Sequence, residues 1–164
     1  MKILILGNSG CGKSTLARNL AKKYQLACCH MDDIVWENNK KRTYEERKQI
    51  LDKFLSENQS WVIEGMSHSE WMEELYDLCD YFFLLKISNL KAWCRIYKRY
   101  LKKKLGKESG HKENLSYLRN LHKIRKNYAK NVLPDIKQKM KDREDKSYVI
   151  HNFCDVCKII DNVN

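Results

Sequence analysis

The sequence contains no apolar run long enough to span a membrane or to form the core of a secretion signal. The N-terminal run, residues 3–6, is broken at once by Gly-Asn-Ser-Gly, and the longest later run covers Tyr81 to Leu85. A membrane-spanning helix needs about 20 apolar residues, and a signal peptide needs about 7 to 15. The sequence therefore disfavours both secretion and membrane insertion.

The sequence also lacks internal repeats and low-complexity linkers, and its cysteines cannot all form disulfide pairs. The seven cysteines are odd in number, and Cys11 lies inside a glycine-rich loop, which argues against a disulfide framework. A reducing cytoplasm is the expected location. With 164 residues and no linker, the chain is predicted to be one domain, residues 1–164.

Positive charge is abundant but unevenly placed. The formal net charge is +11, yet residues 86–146 carry 20 Lys and Arg against 6 Asp and Glu, while the rest carries 12 against 15. Such a basic segment can bind the phosphates of a small ligand, bind nucleic acid, or form a solvated helical face.

Short apolar runs alternate with segments of helical periodicity. Strands are predicted at residues 2–6, 26–31, 61–63, 81–87 and 147–151. Helices are predicted at 13–24, after the capping box Thr43-x-x-Glu46 to about 55, at 69–78, at 90–104, and from 114 to about 131, with Pro134 interrupting a charged helix that continues to about 145. Apolar strands without polar alternation indicate an α/β fold with a parallel sheet covered on both faces.

The segment from Gly7 to Ser14, GNSGCGKS, satisfies the phosphate-loop pattern G-x-x-x-x-G-K-[ST] between a predicted strand and a predicted helix. Its backbone N–H groups, together with the helix N-terminus, are expected to bind phosphate oxygens. Lys13 is expected near the β- and γ-phosphates, and the Ser14 hydroxyl on Mg²⁺. The cofactor-binding set is predicted to be Gly7, Ser9, Gly10, Cys11, Gly12, Lys13, Ser14 and Thr15. The alternative is a tight glycine turn with no ligand.

Cys11 fills a variable position of this motif. Its thiol is interpreted as incidental, although a helix N-terminus can lower the pKa of a thiol beside it.

Four stretches in this order, GNSGCGKSTLARNLA, HMDDIVW, WVIEG and the paired arginines of CRIYKRY, resemble the adenylate-kinase-like group of P-loop proteins. Within that group the chain is similar to the small bacterial DNA topology modulation proteins (FlaR-related). The resemblance implies a three-layer P-loop NTPase fold, a five-stranded parallel sheet in the order 2-3-1-4-5, an ATP and Mg²⁺ site, and a basic helical lid at about residues 100–125. ATP is preferred over GTP only through this resemblance.

Asp32 and Asp33 follow the second predicted strand, whose carboxyl end faces the phosphate loop. A carboxylate there can orient an acceptor hydroxyl, take its proton, or hold water on Mg²⁺. The resemblance assigns the acceptor contact to Asp32, whereas Asp33 suits a helix cap or turn. Trp36 is interpreted either as the floor of an acceptor pocket or as a half-buried core residue.

Glu64 ends the third strand, where the resemblance implies a second acidic ligand for Mg²⁺. The turn that follows, Gly65 to His68, aligns with a Gly-x-x-Arg turn that grips the acceptor monophosphate in adenylate kinases. His68 replaces that arginine, which weakens the case for a nucleoside monophosphate acceptor. Four nearby cations either compensate for the missing arginine or form a solvated basic loop; they are Lys40, Lys41, Arg42 and Arg47.

Arg95 and Arg99 lie four residues apart, on one face of a helix, and can converge on one anion. The resemblance matches them to the two arginines that begin the lid, so the predicted catalytic set is Lys13, Asp32, Arg95 and Arg99. The alternative is a pair of exposed cations. Arg119 and Arg125 are candidates for the returning arm of the lid.

His151, Cys154 and Cys157 offer three potential zinc ligands, but no partner cluster has finger spacing. Packing of a short terminal helix is the favoured interpretation, and a contact of His151 and Asn152 with adenine is the other.

Two hypotheses follow. The first is an ATP- and Mg²⁺-dependent phosphotransferase, with Ser14 and Glu64 at the metal, whose acceptor is a nucleotide, nucleoside or similar small molecule. The second is a regulatory ATP-binding protein whose surplus lysines engage DNA or another polyanion, with little phosphoryl transfer. The two differ in whether a third molecule accepts the phosphate.

Overall fold

The computed structural model describes residues 1–38, 40–66, 69–105 and 115–163. Its strands are β1 (Lys2–Leu6), β2 (Ala27–His30), β3 (Trp36–Glu37), β4 (Lys40–Lys41), β5 (Trp61–Gly65), β6 (Tyr81–Leu85) and β7 (Ser147–Ile150). A five-stranded parallel sheet has the order β2-β5-β1-β6-β7, and β3 pairs with β4 as a separate antiparallel hairpin. When the parallel strands alone are counted along the chain, this order is 2-3-1-4-5, as predicted.

The helices are α1 (Lys13–Tyr24), α2 (Met31–Val35), α3 (Tyr44–Glu57), α4 (Glu74–Leu78), α5 (Asn89–Lys104), α6 (Leu115–Asn127), α7 (Leu133–Lys141) and α8 (Phe153–Val163). Short 3₁₀ turns cover Glu70–Met72 and Glu144–Lys146, and one π-helical turn covers Tyr128–Val132. The predicted capping box begins α3: the Thr43 hydroxyl accepts from the backbone N–H of Glu46, and the Glu46 carboxylate accepts from the backbone N–H of Thr43.

The sheet is covered on both faces because its central strands, β1 and β6, contain consecutive buried apolar residues. In β1, Leu4 and Leu6 pack into a core formed with α3, α4 and α7, whereas Ile3 and Ile5 pack into a second core formed with α1 and α8. Successive side chains of a strand point to opposite faces, so a continuous apolar strand needs cover on both. The predicted three-layer α/β fold is therefore confirmed.

The interruption predicted at Pro134 is wrong. The chain stays helical from α6 through the π-helical turn into α7, which begins at Leu133. Pro134 lies in the first turn of α7, directly after the π-helical turn. The helix also ends at Lys141 rather than near residue 145.

The carboxyl ends of the parallel strands lie along one edge of the sheet. Leu6 at the end of β1 pairs with Gly65 on one side and Leu84 on the other, and His30 at the end of β2 pairs with Glu64. Ligands of open α/β sheets bind outside this edge. The loops that follow these strands therefore position the candidate site.

Within the described residues, none of the helices combines the length and the apolar character needed to cross a membrane. All seven cysteines carry free thiols.

Candidate functional site

A cleft of about 700 Å³ opens at this edge of the sheet. The predicted residues that line it are the phosphate loop from Ser9 to Thr15, Asp32, Glu64, Arg95, Arg99, His151 and Asn152. Gly7 lies behind the cleft, where a Cβ atom would stand 2.7 Å from the carbonyl oxygen of Leu85. Gly7 is thus required by packing between the loop and β6.

Two glycines of the loop have backbone conformations that other residues rarely adopt. Gly10 has φ of 77° and Gly12 has φ of 101°. A Cβ atom would stand 2.7 Å from Ile96 Cδ1 at Gly10, and 2.8 Å from Arg95 Nη1 at Gly12. The glycines therefore allow both the tight curvature of the loop and the close approach of α5.

Lys13 begins α1 and extends its side chain back across the loop. It is mostly buried, and its ammonium group donates to the Asn8 carbonyl oxygen at 3.2 Å. This arrangement holds a cation beside the backbone N–H groups at the helix N-terminus, where anions bind favourably.

The Cys11 thiol lies 3.9 Å from the same ammonium group but is buried. Burial raises the pKa of the thiol, and the Lys13 charge offsets this only in part. Any lowering of the Cys11 pKa by the helix N-terminus is outweighed, because desolvation disfavours the thiolate.

Glu64 is a buried carboxylate with two polar neighbours. The Ser14 hydroxyl donates to Oε1 of Glu64 at 2.7 Å, and Nδ1 of His30 lies 2.8 Å from the same oxygen. A hydroxyl and a carboxylate are hard oxygen ligands of the kind Mg²⁺ prefers. His30 received no role from the sequence, although its position at the end of β2, opposite Glu64, was the available signal.

Asp32 lies in the first turn of α2 and lines the same cleft. Its carboxylate is accessible to solvent, yet partial desolvation raises its pKa, and the nearby charge of Glu64 raises it further. A carboxylate with a raised pKa is better matched to proton transfer near neutral pH.

Arg95 and Arg99 project from α5 into the cleft. The Arg95 guanidinium donates to the Cys11 carbonyl oxygen, and Arg99 donates to the Tyr117 hydroxyl at 2.9 Å. Both arginines therefore share the cavity formed by the phosphate loop, and Arg99 also links α5 to α6.

Arg125 differs from Arg119, with which the sequence grouped it. Arg125 is only 7% exposed, donates to the Ser9 carbonyl oxygen and to Asn89 Oδ1, and lies over the Trp93 ring. Burial lowers its pKa. The Arg125 carbonyl in turn accepts from Asn8 at 3.1 Å, so α6 is tied to the phosphate loop. Arg119 is exposed.

Several predicted positions do not join the cleft. Trp36 is half exposed on the β3–β4 hairpin, and Arg42 donates to the last carbonyls of α2, including Asp33 and Ile34. Among the residues that the structure describes, no three His, Cys, Asp or Glu side chains could hold a metal, and those of residues 151, 154 and 157 form no such group. His68 lies outside the described residues, as do residues 106–114 of the predicted lid.

Much of the basic charge near the C-terminus is paired with α4 and its flank. Lys139 pairs with Glu73, and Arg143 pairs with Asp77 at 2.6 Å. Lys146 donates to the carbonyl oxygens of Asp77 and Cys79. These cations therefore hold α7 and its C-terminal end against α4.

Comparison with known proteins gives a family match over most of the chain. The model of the AAA_18 family, described as an AAA domain, matches residues 3–116, which run from β1 beyond α5. The "Uncharacterized protein YqaC" of Bacillus subtilis (strain 168) is 28% identical over 123 residues, covering 71% of this chain and 68% of that protein. None of these findings names the DNA topology modulation proteins, so that resemblance stays a prediction.

Among solved structures, an unliganded sugar kinase from Janibacter sp. HTCC2649 matches 76% of each chain, with a TM-score of 0.48 and 18% sequence identity.

Proposed function

The chain belongs to the AAA_18 family, described as an AAA domain, and on this premise we propose that it is an ATP- and Mg²⁺-dependent phosphotransferase acting on a small molecule. One observation carries the proposal: a complete phosphate loop, the Ser14–Glu64 oxygen pair and Asp32 line a single cleft. Binding of Mg-nucleotide alone would need only the first two of these, so Asp32 is the residue that points to an acceptor.

The cations of the cleft would stabilise the transferred phosphoryl group. Lys13 and the loop N–H groups bind the phosphates, while Arg95 and Arg99 approach from α5. Phosphoryl transfer depends on positioning and on neutralising charge that spreads over the phosphoryl oxygens. A cluster of fixed cations in one cleft supplies both.

Ser14 and Glu64 are the residues that would hold Mg²⁺, and the bound ion would neutralise charge on the β- and γ-phosphates. His30 shares an oxygen with Ser14 on Glu64 and so orients that carboxylate.

Asp32 is proposed to orient the acceptor hydroxyl and to receive its proton. Its raised pKa fits this role, because the carboxylate holds a proton more readily than an ordinary aspartate does. To receive the proton, Asp32 has to be ionised before the phosphoryl group is transferred.

The alternative is a regulatory ATP-binding protein whose lysines engage DNA, and the arrangement of the basic residues supports it less well. Three of the cations between residues 137 and 146 are engaged by α4 and its flank. They contribute less to a free basic surface than the sequence suggests.

The test is ADP formation from Mg-ATP with a panel of nucleosides, nucleoside monophosphates and small hydroxylated compounds. Lys13→Ala is expected to reduce turnover at least 100-fold, since it removes a cation from the transition state. Lys22→Ala removes an exposed lysine from the same helix and serves as the matched control. Equal turnover in the two variants, both folded, would refute the proposal.

A further inference from the structure

A second, smaller groove adjoins the phosphate cleft. It measures about 310 Å³ and is lined by Met66, Lys123, Ile124, Asn127, Tyr128 and Val132. Met66 borders both cavities, because it directly follows β5 at the carboxyl edge of the sheet. The groove and the cleft therefore share the Met66 side chain as a border.

The helical wall of the groove is anchored to the phosphate loop. Ile124 and Tyr128 lie four residues apart on α6 and the following π-helical turn, so they share one face. Between them, Arg125 donates to the Ser9 carbonyl oxygen and accepts from the Asn8 side chain. These contacts hold the groove beside the loop.

Tyr128 lines this wall, but its hydroxyl oxygen is itself buried. Its side chain is almost wholly buried, and its hydroxyl has no hydrogen-bond partner among the residues that the structure describes. A buried, unpaired hydroxyl is costly. Tyr128 also begins the π-helical turn, a feature frequent at functional sites.

The charge of the groove differs from that of the cleft. Lys123 is exposed and is the one charged residue among the described residues of the lining. Proteins often grip a phosphate with an arginine fork, and the described residues of this lining include no arginine. The apolar surfaces of Met66, Ile124 and Val132 suit an uncharged, ring-sized group instead.

We propose that this groove is the acceptor subsite, and that the acceptor is an unphosphorylated alcohol bearing an apolar ring-sized group. This inference rests on the proposed phosphotransferase function. The acceptor oxygen would bond to the γ-phosphorus of ATP as the bond from that phosphorus to the β,γ-bridging oxygen breaks. ADP leaves with the electron pair, and the hydroxyl proton passes to Asp32.

Benzyl alcohol, benzyl phosphate and glycerol are suitable probes, because benzyl phosphate adds a phosphate to the same ring, whereas glycerol is a small alcohol without a ring. Binding is measured by ligand-observed saturation-transfer NMR on the full chain, saturated with Mg²⁺ and a non-hydrolysable ATP analogue so that the phosphate loop is blocked. Benzyl alcohol is expected to bind at least tenfold more tightly than the other two. Equal or tighter binding of benzyl phosphate or glycerol would overturn the proposal, as would the absence of benzyl alcohol binding.

Two variants test whether benzyl alcohol binds in this groove. Ile124→Glu places a charge in the groove and is expected to weaken benzyl alcohol binding at least tenfold. Leu78→Glu is the control, since Leu78 is 40% exposed and Ile124 is 43% exposed, and Leu78 does not line either cavity. Equal effects of the two variants would contradict the assignment.

Binding of the ATP analogue is measured separately in each protein. Normal analogue binding without benzyl alcohol binding would overturn the subsite alone. A chain that binds no ATP analogue would overturn the proposed function itself.

Discussion

The Ser14 hydroxyl donates a 2.7 Å hydrogen bond to Oε1 of Glu64, which joins the phosphate loop to the end of β5. His30 Nδ1 lies 2.8 Å from the same oxygen, and Asp32 is close enough for the Glu64 charge to raise its pKa. The buried Glu64 carboxylate therefore contacts the other proposed metal ligand, Ser14, and also influences the proposed base, Asp32. A change at residue 64 should be detectable at residue 32.

Glu64→Gln is expected to lower the pKa of Asp32, because it removes a negative charge that disfavours ionisation of that carboxyl. Asp32 would then ionise at lower pH than in the unchanged protein. The measurement is a pH titration of the Asp32 carboxyl carbon by NMR without nucleotide. Glu57→Gln, an exposed change on α3, should leave the titration where it was. A higher Asp32 pKa in Glu64→Gln would contradict the electrostatic coupling.

Local patterns in the sequence were sufficient to predict much of the fold. The phosphate loop is contiguous, the capping box at Thr43 spans four residues, and the central strands β1 and β6 contain uninterrupted apolar runs. The order of the parallel strands came from the resemblance rather than from periodicity. The β3–β4 hairpin was missed because each of its strands has only two residues, too few to show alternation.

Contacts between distant residues were harder to predict. Arg125 lies in a run of basic residues that is typical of a solvated helix face, and its partner Ser9 is 116 residues away. The Cys11 pKa depends on burial beneath the loop, which no short motif encodes. The position of Asp32 near the phosphate loop follows from the rule that strand ends of a parallel sheet meet at one edge, whereas the roles of Asp32 and Glu64 came from the family resemblance.

Arg125→Ala should destabilise the protein by about 2–4 kcal/mol, because it leaves the Ser9 carbonyl and the Asn89 side chain without a charged donor and exposes the Trp93 ring. ATP affinity should fall as well, since the loop loses its support. Urea unfolding and calorimetric titration with ATP measure the two effects.

Arg119→Ala is the matched control, because it removes the same charge from an exposed position on the same helix. It should change stability by less than about 0.5 kcal/mol. Similar losses in both variants would indicate a general effect of charge and would contradict the anchoring role of Arg125.

The Cys11 thiol is expected to react slowly with iodoacetamide at neutral pH. Its pKa is raised by burial, so the reactive thiolate becomes abundant only at a pH above the ordinary value for a thiol. Cys94 and Cys154 are exposed and should be alkylated first. Peptide mass spectrometry over a time course, repeated at rising pH, gives the order. Alkylation of Cys11 ahead of both exposed thiols would show that its thiolate is stabilised instead.

Tyr128→Phe removes a buried hydroxyl and keeps the ring, so it measures the effect of the hydroxyl alone on the free energy of unfolding. The ring is packed in the core, whereas the hydroxyl has no partner among the described residues. Removing the hydroxyl should leave the free energy of unfolding unchanged or raise it by up to about 1 kcal/mol, because no protein hydrogen bond is lost. Urea unfolding measures this effect, and a loss of stability above about 1 kcal/mol would mean that the hydroxyl has a structural partner.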